Sequence, residues 1–438
     1  MKKNLKNKTS YTFIKTSKDL NAYTDYLLTF ANLLAVDTET YIDESKLNPS
    51  ALDPHSSKIS LIQVNFIGGI PTIIDVMEIG VLKCFYFIEK IMMNKEIIKV
   101  FHNASFDIKQ FKSTFGVWIK NIECTKVFMQ SLGINTGMKA SIFRGHALKD
   151  LSRDYFDCDM DKTEGASQWG ARPLSNSQLK YAALDVGCPS KNIRGERPLG
   201  YKDNCLLLTA RNLFRDQLIA IGQEYCMTAD QQAMYISSKL EYQGMYVDQE
   251  LLHRCYTYAE EETNKFRKAV VEELGFTIYS SLDLNDNGEW EEVEVIPDKI
   301  KTLLNNNKGL VTYINQHLRD RGESGLDSLQ ADEVKTYLDT LESDTELDKE
   351  AGLLSTGDIE DRYTSINLIK NLLKYKKHSK LLTECAKYKR VINPNTDRVH
   401  AGFNSIGTST GRMSSSGKLN LQQVSSTKVM LEIEKDKM

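Results

Sequence analysis

Three short acidic motifs constrain this chain more than anything else in it: VDTET (residues 36–40), HNASFD (102–107) and YAALD (181–185). Each places a carboxylate inside a segment whose other residues build cores. The apolar run 33–36 ahead of Asp37 reads as a buried strand, and the period of two then turns Asp37 and Glu39 to one face. Tyr181 and Asp185 stand four apart in an amphipathic stretch, so they project from one helical face. A buried, ionised carboxylate is costly unless a cation or hydrogen bonds compensate it. Convergence of Asp37, Glu39, Asp107 and Asp185 therefore implies divalent metal more readily than mutual repulsion.

The first ~220 residues alternate strand and helix signals. The segment KISLIQVNF alternates as a strand, Gly68 and Gly69 make a hairpin turn, and TIIDV pairs back. A helical stretch (81–93) leads to the buried strand IIKVFHNA, with Asp107 in the first turn of the helix that follows (107–115). IECTKVFMQSLGI repeats strand then helix, and HALKDLSRDYF and LSNSQLKYAALDV are amphipathic, Leu179, Ala182, Ala183 and Val186 sharing a flank. The fold class expected is α/β with a mixed central sheet, followed by a mainly helical region from about Thr228.

At 438 residues the chain has room for two or three domains. Its net charge of -3 does not announce a nucleic-acid binder, so such a role must come from local patches. Eight scattered cysteines without a CxxC pair argue against zinc fingers and a disulfide framework and suit a reducing compartment. With no apolar h-region at the basic N-terminus and no run of membrane-spanning length, a soluble cytoplasmic protein with no membrane partner is expected.

DxE on a first strand, HNAxFD at a strand–helix junction and Yx3D on a late helix, about 70 to 80 residues apart, resemble the three motifs of the DEDDy 3'–5' exonuclease superfamily, which has an RNase H-like fold. The stretch DKTEGASQWGARPLSNSQLKYAALDV is similar to the closing segment of RNase D-like and proofreading exonuclease domains. The resemblance covers roughly residues 10–225. It implies phosphodiester hydrolysis with two Mg2+ or Mn2+ ions, which hard oxygen ligands select. By the same resemblance, Asp37 bridges the two ions, Glu39 and Asp185 complete one site, Asp107 holds the second largely through water, and Tyr181 orients the attacking water. His102 and Asn103 either order the turn that carries Asp107 or contact substrate DNA. Trp169 and Arg172 either touch nucleotide or pack the loop before the last helix, and Asp157, Asp159, Asp161 and Glu164 read as a solvated acidic turn.

Residues 187–210 depart from the family pattern. They hold two of the eight prolines and three glycines, so they do not extend the helix that ends the third motif, and they read as an inserted surface segment whose deletion leaves the nuclease folded and active.

Beyond it, residues 230–275 read as two helices separated by a turn at 244–248. Twelve acids against two lysines fill 327–361, and a basic helix with nine Lys or Arg and one Glu spans 362–390. Lys370, Lys374 and Lys377 follow i, i+4, i+7 spacing opposite Ile366, Ile369 and Leu373. Such a face can run along a phosphate backbone, or it can simply compensate its acidic neighbour. RVHAGFNSIGTSTGRMSSSGKLNLQQV (398–424) resembles the start of the palm of family A DNA polymerases, and GMYVDQELL and LLKYKKHSKLL resemble the thumb that precedes it. That resemblance implies DNA gripped by the lysine helix and Arg412 in the primer-terminal minor groove. Lys418 and Leu419 stand where the family has a proline before NLQ.

The second pair of polymerase aspartates and the fingers helix are not found in the sequence, so the chain is expected not to polymerise alone. The division expected is an exonuclease domain at 1–225, a helical thumb-like DNA-binding region at 226–390, and an incomplete start of the palm at 391–438 that lacks a core. The function implied is 3'–5' exonuclease action on DNA 3' ends, the proofreading part of a family A polymerase. The alternatives are a subunit of a split polymerase that pairs with a separately encoded C-terminal fragment, an RNase D-like exoribonuclease, and a non-catalytic DNA-binding remnant.

Overall fold

The computed structural model describes residues 11–135, 146–156, 160, 162–187, 205–284, 290–295, 298–321, 324–351, 356–408, 410–417 and 419–421. The chain divides into two compact units. One gathers residues up to Val247 together with Val391–Val424, and the other contains Asp248–Arg390.

The first unit is built on a six-stranded mixed sheet: β1 (Thr12–Ile14), β2 (Leu33–Ile42), β3 (Ser57–Asn65), β4 (Thr72–Asp75), β5 (Ile98–Phe101) and β6 (Ile122–Cys124), in the order β1-β4-β3-β2-β5-β6. The hairpins β2–β3 and β3–β4 are antiparallel, while β1–β4, β2–β5 and β5–β6 are parallel. The central strand β2 is buried on both faces, which explains why its apolar run shows no simple alternation. A register shift between Glu39 and Thr40 bends it just past the second acid of the DxE motif.

One face of the sheet is covered by helices Ser17–Phe30 and Ser105–Phe115, whose Leu20, Leu27, Ile108 and Phe111 interlock with Leu34, Val36, Ile62 and Ile74. Helix Asn176–Val186 lies on the other face, where Leu179, Ala182 and Ala183 meet Leu61 and Ile73, and Val186 meets Ala35 and Val100. The flank anticipated from periodicity is thus the buried one. Residues 81–93 are helical as expected, though irregular: a 3-10 turn (Val81–Cys84) and a short α turn (Phe85–Phe87) pass into a π turn (Ile88–Met92).

Three expectations change. Cys205–Ala210 are not inserted surface chain. Helix Leu206–Ala220 begins there, and Cys205, Leu206, Leu207, Leu208 and Ala210 are all buried against β2, β5 and the helix Thr125–Asn135. The remainder of the anticipated insertion, 188–204, lies outside the described residues.

The helix Glu224–Gln243, expected at the head of the thumb-like region, packs in the first unit instead. The Gln231 side chain donates to the Cys124 carbonyl and accepts from its N–H, and the Tyr235 hydroxyl donates to the Ile119 carbonyl.

Residues 391–421 have no core of their own, yet their described part is well anchored because it borrows one. Strands β10 (Ile392–Asn393) and β11 (Arg398–Val399) pair in the order β10-β11-β7 with β7 (Met245–Tyr246). The hairpin β12–β13 (Gly402–Asn404, Ser414–Ser416) follows, and Ile406 joins the main core. Glu241 accepts from the Phe403 N–H (2.6 Å) and the Ser105 hydroxyl (3.0 Å) and pairs with Lys109, tying these strands to the helix that carries Asp107.

The second unit is helical: Gln249–Glu273, Asp298–Asn305, Asn307–Arg319, Ala331–Glu350 and Thr356–Val391, with a two-stranded ribbon β8–β9 (Tyr279–Leu284, Trp290–Val295). Its core joins Val270, Leu310, Ile314, Val334, Leu338, Ile366 and Ile369. Among the described residues, no helix is long and apolar enough to cross a membrane.

Candidate active site

Strand β2 delivers Asp37 and Glu39 to one end of helix Asn176–Val186, where Asp185 meets them. One carboxylate oxygen from each of the three lies within 4.8 Å of the others. Register places Asp37 opposite Gln63 and Glu39 opposite Leu61 on β3, while pairing with β5 ends at Ala35, so both acids lie just past the carboxyl end of β5. The helix is fixed in turn by a capping box, with Ser175 accepting from the Gln178 N–H (3.1 Å) and Gln178 accepting from the Ser175 N–H (2.9 Å).

Asp107 stands in the first turn of helix Ser105–Phe115, where the helix dipole favours an anion. It accepts a 2.6 Å hydrogen bond from the Thr38 hydroxyl, the residue between the two acids of the DxE motif. Its charge reaches Asp37 and Glu39 and helps to raise both.

Burial is the largest cause of every carboxylate shift in this cluster. Asp37 and Glu39 are pushed well above the usual carboxylate range, first by burial and then by neighbouring carboxylates, with Lys162 acting the other way. Asp107 is raised to about 7 by burial, opposed by the Thr38 bond, and Asp185 is raised by burial and lowered by Lys162. Protein alone leaves this group of acids undercompensated, and hard oxygen donors within 4.8 Å of one another, about twice a metal–oxygen distance, suit a divalent cation. The residues therefore fit the metal that the sequence implies.

Tyr181 packs its ring 5.9 Å from that of Trp169, and its hydroxyl lies 3.4 Å from the Lys162 ammonium. Lys162 also forms an ion pair with Asp185. The sequence reading missed both Thr38 and Lys162. Thr38 had a signal in its place between two ligands, whereas Lys162 reaches Asp185 from a turn with no periodicity to betray it.

His102 has both ring nitrogens committed inside the fold: Nδ1 with the Thr125 hydroxyl and Nε2 with the His146 carbonyl, each at 2.8 Å. Burial pushes it down to about 4, so the ring is neutral, and its place is that of a brace for the strand–helix turn. Asn103 takes a left-handed conformation (φ 67°) at that turn and accepts from Lys126 at 3.1 Å.

Trp169 is buried, and Arg172 forms a bidentate pair with Asp75 (2.7 and 2.9 Å) while donating to the Trp169 carbonyl, so both pack the loop. Glu164 sits in the 3-10 turn Thr163–Ala166, half-buried, and Asp157, Asp159 and Asp161 lie outside the described residues.

In the helical unit, Ile366 and Ile369 are buried as expected, and the three lysines divide. Lys370 pairs with Glu342, just as Arg362 pairs with Asp348 (2.8 Å), which is the compensation of the acidic neighbour. Lys374 and Lys377 are exposed, Lys374 lying 5.1 Å from the centre of the Phe266 ring. Arg412 is exposed on a tight turn whose backbone is held by the Thr408 hydroxyl at 3.0 Å.

Comparison with known proteins agrees with this construction. Residues 11–188 match the family model described as 3'-5' exonuclease, and residues 333–436 match DNA polymerase family A. Ribonuclease D of Haemophilus influenzae is 28% identical over 160 residues, 36% of this chain and 36% of that protein. Exosome complex component 10 of Homo sapiens is 28% identical over 114 residues, 26% of this chain and 12% of that protein. The chain spans about a third or less of the length of the curated relatives it matches. The POL domain of Pol1 from M. smegmatis, solved with DNA primer-template and dNTP, has the same fold (TM-score 0.61, 12% identity, 95% of this chain and 56% of that one).

Sheet, helix and acid cluster thus define a 3'–5' exonuclease domain of the kind shared with RNase D. In this chain that domain is joined to a segment of a family A DNA polymerase.

Proposed function

We propose that the chain removes nucleoside 5'-monophosphates from the 3' ends of single-stranded or frayed DNA, as the editing part of a family A DNA polymerase acting in replication or repair in the cytoplasm. The observation that carries this reading is the meeting of Asp37, Glu39 and Asp185 oxygens within 4.8 Å, with Tyr181 one turn ahead of Asp185 on the same helix. The polymerase segment at 333–436 favours DNA over RNA.

Asp37, Glu39 and Asp185 would hold one of two Mg2+ or Mn2+ ions, and Asp37 with Asp107 the other. Bound there, the ions supply Lewis acidity to the attacking and leaving oxygens. Thr38 fixes the Asp107 carboxylate, and the Tyr181 hydroxyl orients the attacking water. Water displaces the 3' oxygen of the penultimate nucleotide, that oxygen takes a proton, and the released nucleotide keeps the phosphate. Lys374 and Lys377 on the helical unit, and Arg412 on its turn, supply contacts to the phosphates and minor groove of duplex DNA.

The RNase D relatives favour RNA as an alternative substrate. The test is purified chain with Mg2+ on matched 3'-single-stranded DNA and RNA, with Asp37→Ala beside it. Faster Mg2+-dependent loss of DNA, abolished in the variant, is expected. Faster loss of RNA would establish the exoribonuclease reading, and equal rates in wild type and variant would overturn the site. DNA binding without any cleavage would make the chain a non-catalytic remnant.

A further inference from the structure

Lys162 is a cation inside a site whose chemistry calls for metal, and nothing above assigns it a role. Its ammonium pairs with the Asp185 carboxylate, stands 3.4 Å from the Tyr181 hydroxyl and lies 4.8 Å from the centre of the Tyr181 ring. Its charge enters the surroundings of Asp37, Glu39 and Asp185 alike.

Its backbone is held there as well. The Lys162 carbonyl accepts from Gly165 at 3.2 Å, opening the turn Thr163–Ala166. The turn comes so near Tyr181 that a Cβ on Gly165 would lie 3.1 Å from the hydroxyl. Gln178, on the helix of Tyr181 and Asp185, donates to the Ser167 hydroxyl at 3.1 Å, fastening the far end of the turn.

Charge explains what such a lysine can do. With all four carboxylates ionised, as metal ligation requires, they and the one ammonium sum to about −3, and Asp185 is the member the ammonium engages. With two divalent cations the centre becomes about +1, and the single negative charge of the phosphodiester being cut brings it to neutrality. The ammonium sits on Asp185 Oδ1, so a metal that draws on that oxygen has to displace it. Once released, the ammonium is still tethered beside Tyr181, on the side where the attacking water is oriented.

We propose that Lys162 is an exchangeable counter-ion: it holds Asp185 while the centre is free of metal, yields it on metal binding, and then donates to a non-bridging oxygen of the phosphate being cut. No covalent step is involved, only transfer of one ammonium between two anionic partners. The inference rests on the exonuclease reading above.

The test is Mn2+ titration of full-length protein without nucleic acid, followed by the electron paramagnetic resonance of free Mn2+, on wild type, Asp37→Ala, Lys162→Met and Lys162→Arg. Single-turnover DNA cleavage at saturating Mn2+ is measured beside it. Wild-type binding that is lost in Asp37→Ala establishes the metal site independently of Lys162. Lys162→Met, which keeps the length and loses the charge, should then bind the tighter Mn2+ about tenfold more strongly and cleave about 100-fold more slowly. Lys162→Arg should recover part of the rate, and unchanged melting of both variants excludes unfolding. Unchanged or weaker Mn2+ binding by Lys162→Met, or cleavage at the wild-type rate, overturns the proposal; absence of Mn2+ binding by wild type overturns it together with the reading beneath it.

Discussion

At Asp37 the fold carries a charge that its own surroundings resist: burial and two neighbouring carboxylates raise its pKa, and Lys162 only partly offsets them. Asp37→Asn should therefore raise metal-free stability by about 1 kcal/mol while abolishing both hydrolysis and the gain in melting temperature on adding Mn2+. Thermal melts with EDTA and with Mn2+ read both effects, and a metal-free variant less stable than wild type would contradict the argument. His102 makes the opposite demand, since burial of its ring favours the neutral form. Burial lowers its pKa from 6.5 to about 4, so the stability it contributes is complete above pH 6.5 and is lost as the pH falls toward 4. Wild type should lose more stability than His102→Gln between pH 7 and pH 4.5, measured by urea unfolding in Mn2+ at each pH. Both residues were visible in sequence because each sits in a motif on a regular element; Lys162 was not, for its contact with Asp185 closes across a turn and obeys no period.

Among the elements, the helix Leu206–Ala220 shows where a sequence reading goes astray. Prolines and glycines before it signal a break, but its own start carries no side-chain cap at Cys205, so nothing local marks where helix resumes. Its Cys205–Ala210 segment was assigned to surface for that reason, although five of those six side chains are buried. The helix Glu224–Gln243 teaches a related lesson: amphipathic spacing reveals that a face is buried, not which neighbour buries it. By contrast, the β3–β4 hairpin was legible from its glycine turn, and the helix Asn176–Val186 from its apolar flank. The corrected boundary has a consequence for engineering. The Gly187 carbonyl accepts from the Leu206 N–H at 3.0 Å, so the two ends of 188–204 already touch. Replacing 188–204 by two or three glycines should leave melting within about 1 kcal/mol of wild type and preserve cleavage. Deleting through Ala210 should instead lose several buried side chains at about 2–5 kcal/mol each and fail to give folded protein, as circular dichroism would show.

For the molecule as a whole, the two compact units do not follow one another along the chain. The first opens before Val247 and resumes at Val391, and its strands β7 and β10 flank the same partner, β11. Neighbouring strands lie about 4.8 Å apart, so the departing and returning chain ends are separated by about 10 Å. Seen from the first unit, then, the entire helical unit Asp248–Arg390 is a loop, and doubling or halving a long loop changes its closure free energy by only about 0.6 kcal/mol. A chain in which a Gly-Ser bridge of about eight residues replaces Asp248–Arg390 should fold cooperatively, keep single-strand cleavage and lose duplex affinity together with Lys374 and Lys377; calorimetry and DNA titration would decide it. By the same geometry, a backbone cut within that helical unit leaves both parts of the first unit held by β-pairing and the Glu241 hydrogen bonds. The nuclease is thus built as a structure in two pieces that happen to be covalently joined, tolerant of whatever length of chain evolution threads between them.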